Sequence, residues 1–191
     1  MKIVYTCFCT DVIHEGHMNI IHEAKKYGRV VVGVLSDEAS IRFNRFPGVS
    51  FTERINMVKS IPGVDEVIIQ NKVMYDEIIE KLHPDYVIHG DNWLEPPMRA
   101  IRDNVSTLLK EYGGKIIDVP YTYSEEIRHI DAQVKERLAM PEYRRKRLRQ
   151  LLQLRPLVKA IEVHSGLTGL IAEKTIVEHD GEIDQFDAMW I

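Results

Sequence analysis

Two histidines three residues apart with a glycine between them, His14, Gly16 and His17, are the residues of this chain whose types and spacing suit chemistry on a phosphate group. At i and i+3 the two imidazoles share one helical face. The segment that holds them, CTDVIHEGH, is entered from an apolar strand-like run and left through an amphipathic helical one, MNIIHEAKKYG, with Gly28 as its stop. The free N–H groups of such a helix start carry the positive end of its dipole, so an anion there is stabilised before any side chain contributes. Gly16 has no Cβ and admits backbone or ligand close to the turn. A single histidine near a helix start is ordinarily a cap or a surface residue; two flanking a glycine at a strand-to-helix turn point to a ligand.

Cys7 and Cys9 stand just upstream, so a zinc site built from C-x-C and H-x-x-H has to be weighed. Residues i and i+2 of a strand lie about 6.6 Å apart, whereas one tetrahedral ion with sulfur bonds of about 2.3 Å needs closer thiolates. The same spacing argues against a Cys7–Cys9 disulfide. Both cysteines are read as reduced strand residues, one facing the ligand.

The elements that must position this turn alternate along the chain. Strand-like runs at Lys2–Thr6, Arg29–Leu35, Asp65–Ile69, Asp85–His89 and Lys115–Val119 are separated by helical patterns at Met18–Tyr27, Glu38–Phe43, Thr52–Ser60, Tyr75–Leu82, Pro97–Tyr112 and Glu125–Leu138. This order predicts an α/β fold, a Rossmann-like doubly wound parallel sheet of five strands over residues 1–138. The histidine turn then follows the first strand and HGDNW follows the fourth, both at the carboxyl edge where such sheets bind ligands. There is neither a Walker A sequence nor a GxGxxG fingerprint.

At 191 residues and a formal net charge of -4 the chain can bury one good core, and its charge balance does not call for nucleic acid. Two cysteines, no signal-peptide pattern and no long apolar run predict a reduced, soluble, cytoplasmic protein without a membrane partner. Beyond Leu138 the character changes. Residues 139–156 contain EYRRKRLRQLLQL, whose leucines recur at helical spacing among basic residues, and read as an amphipathic linking helix. Residues 157–191 read as an apolar strand (VKAIEV), HSGLTG, a helical LIAEKTIVE and a final strand FDAMWI. A β-α-β fragment of this size cannot bury a core alone, so either it docks on the first domain or its remainder is missing.

Taken together, these motifs make the chain resemble the HxGH nucleotidylyltransferase superfamily, in a register similar to glycerol-3-phosphate cytidylyltransferases. Asp11 stands three before His14 as in F-D-x-x-H-x-G-H, and VVVGVLSDE, FTERINMVKSIPGVDEVI and YVIHGDNW resemble further family segments in the same order. The resemblance implies transfer of CMP from CTP to a small anionic acceptor, with Mg²⁺ bridging phosphate oxygens and a homodimeric assembly. It places His14, His17 and Arg128 at the reacting phosphates, and Phe8, Cys9, Thr10, Gly16, His89, Asp91 and Trp93 around the nucleotide. Arg42 and Arg45 stand where the family has lysines, and with Arg54 are assigned to the acceptor, because a guanidinium offers a planar fork to phosphate or phosphonate oxygens. Asp11 is assigned to the metal, with orientation of a histidine or capping of the turn as the other roles open to it. YSEEIRHI represents the family's R-T-E-G-I-S-T without its arginine and serine, and Arg128 is the substitute cation.

LRQLLQLRPLVKAIEVHSGLTGLIAEKT resembles the opening of phosphoenolpyruvate mutases. The pairing is similar to the bifunctional cytidylyltransferase–mutase enzymes of fosfomycin biosynthesis, which implies a phosphonate acceptor, 2-hydroxyethylphosphonate first, with no mutase activity because that barrel needs eight strands. Glycerol 3-phosphate, 2-aminoethylphosphonate and phosphocholine are the other acceptors in view. ATP is the other nucleotide, and a non-catalytic nucleotide-binding module is the alternative class.

Overall fold

The computed structural model describes residues 1–9, 11–42, 46–94, 98–120, 122, 124–179 and 182–190. Its first strand, β1 (Ile3–Phe8), buries Val4, Tyr5, Thr6 and Phe8, on both faces of the sheet, as a central parallel strand does. Helix α1 (Glu15–Lys25) leads to β2 (Arg29–Leu35), then α2 (Asp37–Arg42) and α3 (Phe51–Lys59) lead to β3 (Glu66–Gln70). Helix α4 (Asp76–Leu82) precedes β4 (Tyr86–Gly90), a 3₁₀ turn at Asp91–Leu94 and α5 (Arg99–Lys110) precede β5 (Lys115–Val119). The five strands pair in parallel in the order β3-β2-β1-β4-β5, the predicted doubly wound sheet.

Period-2 alternation divides the apolar residues between two cores. Tyr5, Val31 and Val87 face α4 and α5 in a cluster with Tyr75, Trp93 and Val105. Val4, Val30, Val32 and Ile88 face α1 and α3 in a second cluster with Ile21, Ala24 and Val58. Tyr5 crosses beneath β2 to donate its hydroxyl to Gln70 Oε1 on β3 at 2.5 Å. It can do so only because residue 33 is glycine: a Cβ there would stand 1.9 Å from the Tyr5 hydroxyl oxygen. Gly33→Ala is therefore expected to lower stability by about 1–3 kcal/mol through overpacking, read as a lower urea midpoint. An unchanged midpoint would show that Tyr5 has room to move.

After β5 come α6 (Glu125–Ala139) and α7 (Pro141–Leu154), with Pro141 at the first position of the second helix, where its missing N–H matters least. Beyond α7 an antiparallel pair is inserted in the expected strand–helix–strand order. Strand β6 (Ala160–Glu162) and α8 (Gly166–Lys174) are followed by β7 (Ile176–His179) and β8 (Glu182–Gln185), an antiparallel pair, and β9 (Ala188–Trp190) returns to lie parallel to β6. The helix expected through Glu178 stops at Lys174 because Thr175, Ile176 and Val177 are β-branched and favour a strand. This segment docks on the first domain. Ile176 packs against the core cluster that holds Tyr5 and Trp93, and Gln185 Nε2 donates to the Arg42 carbonyl at 3.4 Å; within the C-terminal part, Arg155 pairs with the buried Asp187. Among the described residues no helix is long and apolar enough to cross a membrane.

Element boundaries elsewhere shift by a few residues, and one shift matters. Helix α1 begins at Glu15 rather than Met18, which makes His14 its N-cap. The strand before it runs on to Phe8, so Cys7 lies within it and Cys9 just beyond.

Candidate active site

Strand order reverses between β1 and β4, and the crevice at that point is where doubly wound sheets take ligands. The histidine turn rises from the end of β1 and His89 stands at the end of β4, so the two flank the crevice. A cavity of about 600 Å³ opens there, lined by both histidines of the turn, by His89 and by residues from the loops after β2, β3 and β5.

The helix start itself sets the state of the two imidazoles. His14, in an extended conformation at the N-cap, accepts the Gly16 backbone N–H on Nδ1 at 3.1 Å. His17 accepts the His14 backbone N–H on Nδ1 at 3.4 Å. A backbone N–H only donates, so each Nδ1 carries a lone pair and each ring's hydrogen sits on Nε2. The rings lie 4.0 Å apart, and Phe8 meets His17 edge-on at 4.8 Å. Burial, then the neighbouring His14 and His89, lower the His17 pKa from 6.5 to about 3, so its imidazole is neutral at physiological pH. The pair is a set of neutral Nε2–H donors beside the positive end of α1.

That depressed pKa has a stability consequence. Between about pH 6.5 and about 3 the unfolded chain holds a proton at His17 that the folded chain does not. Stability therefore falls as pH falls through this window, by up to about 1.4 kcal/mol per pH unit from this group. His17→Asn is expected to show a shallower loss of urea stability between pH 7 and pH 4 than the parent; equal slopes would rule out His17 as the source.

Gly16 is required by His14. A Cβ at residue 16 would lie 2.9 Å from His14 Cε1 and 3.1 Å from its Nδ1. Overhead, α6 presents Ile127, Ile130 and Val134 at helical spacing, Ile127 buried and the other two lining the cavity. The cation expected from this helix is elsewhere: Arg128 pairs with Glu125 in the solvent, both strongly exposed.

On the β4 side His89 is held by a chain of contacts. Its Nδ1 lies 2.9 Å from the Gly90 carbonyl, and its ring stacks on Trp93 at 4.4 Å with 13° between planes. Trp93 is fully buried and does not line the cavity, a correction to its expected nucleotide contact. Its Nε1 donates to Asp118 at 2.6 Å, and Arg102 donates to both Asp118 oxygens. Arg102, and then Trp93, hold that carboxyl below the usual carboxylate range despite its partial burial. Trp93 thus supports His89 from beneath. Asp91 opens the 3₁₀ turn outside the cavity lining, while Asn92 lies within it.

On the β2 side the expected arginines separate. Arg42 pairs with Glu38 one turn back on α2 and does not line the cavity, while Arg45 and Thr10 lie outside the described residues. Arg54 lines the cavity and is buried, its Nη1 donating to the Leu35 carbonyl at 2.9 Å and its Nη2 to Asp37. Its two terminal nitrogens thus brace the β2–α2 junction, while its buried Nε has no hydrogen-bond partner among the described residues. Asp11 accepts the Gly48 and Val49 backbone N–H groups at 2.6 and 3.3 Å, which makes it the tether of the loop before α3. Asp11 also lines the cavity, and among the described residues no group of three or more His, Cys, Asp or Glu is arranged to hold a cation. Phe8, Cys7 and Cys9 line the cavity, neither cysteine in a disulfide and Cys9 Sγ 3.3 Å from Ser40 Oγ.

Sequence reasoning missed Phe46, Asn92, Thr122 and Arg147, all of which line the cavity. For Arg147 a signal was present: Tyr143, Arg147 and Leu151 recur at i, i+4 and i+8, one face of the helix expected only to link.

Comparison with known proteins agrees with this architecture. The model of the cytidylyltransferase-like family matches residues 5–165. The chain is 30% identical over 122 residues to the bifunctional protein HldE of Desulfatibacillum aliphaticivorans, covering 62% of this chain and 24% of that protein. It is 38% identical over 95 residues to ethanolamine-phosphate cytidylyltransferase of Arabidopsis thaliana, covering 47% and 23%. The chain therefore spans about a quarter of the length of these curated relatives. Among solved structures, the lipopolysaccharide core biosynthesis protein of Thermoplasma volcanium GSS1 superimposes with a TM-score of 0.54 at 18% identity, over 65% of this chain and 99% of that one, a likeness of fold.

Proposed function

We propose, from the premise that this chain belongs to the cytidylyltransferase-like family, that it transfers CMP from CTP to a small anionic acceptor and releases pyrophosphate. The observation that carries the reading is the pair of Nε2–H donors, His14 and His17, fixed at the start of α1 by backbone N–H groups. Such donors suit a triphosphate, whose leaving group gains charge as it departs. An acceptor phosphonate or phosphate oxygen is anionic already and attacks the α-phosphorus without a general base. As that P–O bond forms, the bond from the α-phosphorus to the bridging oxygen breaks, and its electron pair leaves with pyrophosphate. The protein's work is to hold two anions in line. Mg²⁺ enters this reading as a bridge between phosphate oxygens of the CTP substrate.

For the acceptor we infer a phosphonate, 2-hydroxyethylphosphonate first, supported by the likeness of the segment from Leu148 to Thr175 to the opening of carbon–phosphorus bond-forming enzymes. A phosphate monoester is the second reading, favoured by the 38% identity to an ethanolamine-phosphate cytidylyltransferase. The family likeness also supports a homodimer in the cytoplasm, which light scattering would report as twice the chain mass. Acceptor choice is tested by competitive turnover. With CTP and Mg²⁺, 2-hydroxyethylphosphonate, 2-aminoethylphosphonate, phosphoethanolamine, glycerol 3-phosphate and phosphocholine are supplied together and CMP conjugates identified by mass. The hydroxyethyl conjugate is expected to dominate. Dominance of a phosphate ester would replace the first reading by the second, and turnover with ATP in place of CTP would overturn both.

A further inference from the structure

The cavity at the histidine turn extends to the α4 and α5 side of the sheet, and the character of its lining changes there. Cys7, Val73, Tyr75, Met98 and Ile101 line that end, and all of them belong to, or pack against, the core cluster that holds Tyr5 and Trp93. Gln70 lines it too, but its amide is committed to the fold. Its Oε1 accepts the Tyr5 hydroxyl and its Nε2 donates to the Lys72 carbonyl at 2.8 Å, which pins the loop carrying Val73 and Tyr75 to the cavity. None of these side chains carries a full charge. Among the described residues lining the cavity, the carboxylate is Asp11, in the histidine turn.

Tyr75 supplies the polar function of this end. Its ring is buried, edge-on to Tyr5 at 5.7 Å and beside Trp93 at 6.4 Å, so neighbours on two sides fix its position. Among the described residues its hydroxyl takes no hydrogen-bond partner. Burial, and then Cys7, hold that hydroxyl protonated well above its usual range. It is a neutral group able both to give and to accept a hydrogen bond. A buried hydroxyl without a partner is costly, so a ligand that supplies one is stabilised. A cytosine ring, with an amino group, a ring nitrogen and a carbonyl to satisfy, needs more polar partners than one hydroxyl. A short carbon tail ending in a hydroxyl needs one such partner and apolar walls. An ammonium in its place would be buried with no carboxylate of this end beside it, which costs more than a neutral group does.

We propose that the organic tail of the acceptor lies at this end of the cavity and that Tyr75 selects a hydroxyalkyl tail over an aminoalkyl one by hydrogen bonding to its hydroxyl. This rests on the reading of the chain as a CTP-dependent transferase. The anionic head of the acceptor then points back to the histidine turn, where the triphosphate is held, and the uncharged end receives the tail. A phosphonate and a phosphate monoester present the same tail, so the selection acts on either. Tyr75 touches the acceptor away from the reacting atoms and sets specificity rather than the chemistry of the α-phosphorus.

Two matched sets of acceptors read the tail alone: ethyl-, 2-hydroxyethyl- and 2-aminoethylphosphonate, and ethyl phosphate, 2-hydroxyethyl phosphate and phosphoethanolamine. With CTP and Mg²⁺, kcat/KM is measured for each in wild type and in Tyr75→Phe, which keeps the ring, and CTP affinity is titrated separately. Within a set that turns over, wild type is expected to prefer the hydroxyl to hydrogen by at least about tenfold and to the ammonium by on the order of a hundredfold. Tyr75→Phe is expected to lose about tenfold or more on the hydroxyethyl acceptor, while the ethyl acceptor and CTP affinity stay within about twofold. Wild-type preference for the ammonium, or an unchanged hydroxyl-to-hydrogen ratio in Tyr75→Phe, overturns the assignment. Equal losses on every acceptor, or a matching loss of CTP affinity, overturn it in favour of a structural or a nucleotide-binding role. Turnover of none of the six by a wild type that binds CTP also overturns it. Failure of wild type to bind CTP overturns the transferase reading, and this assignment with it.

Discussion

Replacement of His17 by alanine, and separately of His14, is expected to lower kcat/KM for CMP transfer by a factor on the order of a hundred to a thousand, the range for loss of one positioned donor to a developing charge. Both rings offer Nε2–H because their Nδ1 atoms accept from the backbone, so each supplies a hydrogen bond that strengthens as pyrophosphate leaves. CTP affinity is expected to change less than kcat, since ground-state and transition-state contacts differ mainly in the charge they meet. Pre-steady-state pyrophosphate release, with circular dichroism to show an intact fold, reads the effect. A variant that keeps the parent's kcat removes that histidine from the chemistry. Asparagine at either position is an informative companion, because its amide restores a donor without a ring.

The second large effect is expected at Gly16. A single methyl there would sit 2.9 Å from His14 Cε1, so the ring must turn away and lose its bond from the Gly16 N–H. Displacement of a catalytic group by about 1 Å reduces rate on the order of a hundredfold. Gly16→Ala should therefore approach His14→Ala in kcat while remaining folded. The same substitution at Gly166, at the start of α8, meets nothing within 4 Å of the added atom and should leave the rate alone. If Gly16→Ala turns over like the parent, the close packing of glycine against His14 is not what orients the ring.

What the sequence by itself determined is what depends on short range. The apolar runs from Ile3, Arg29, Glu66, Tyr86 and Lys115 become the five parallel strands, the central β1 and β2 buried on both faces as their near-continuous apolar composition requires. The histidine turn and His89 reach the carboxyl edge for the same reason, since connectivity alone places the ends of β1 and β4 there. Tertiary structure decided which side chains reach the cavity. Trp93 and Arg128 sit in motifs that predict contact, yet one is stacked beneath His89 and the other pairs with Glu125 in solvent. Trp93 is turned inward by a distant partner, Asp118, which no local pattern encodes, while Arg128 is taken up by a glutamate one turn back. Asp11 is likewise claimed by the amides of Gly48 and Val49, thirty-seven and thirty-eight residues away. Arg147 enters from a helix that periodicity describes only as amphipathic, because the surface that α7 meets is made by a loop about a hundred residues earlier in the chain.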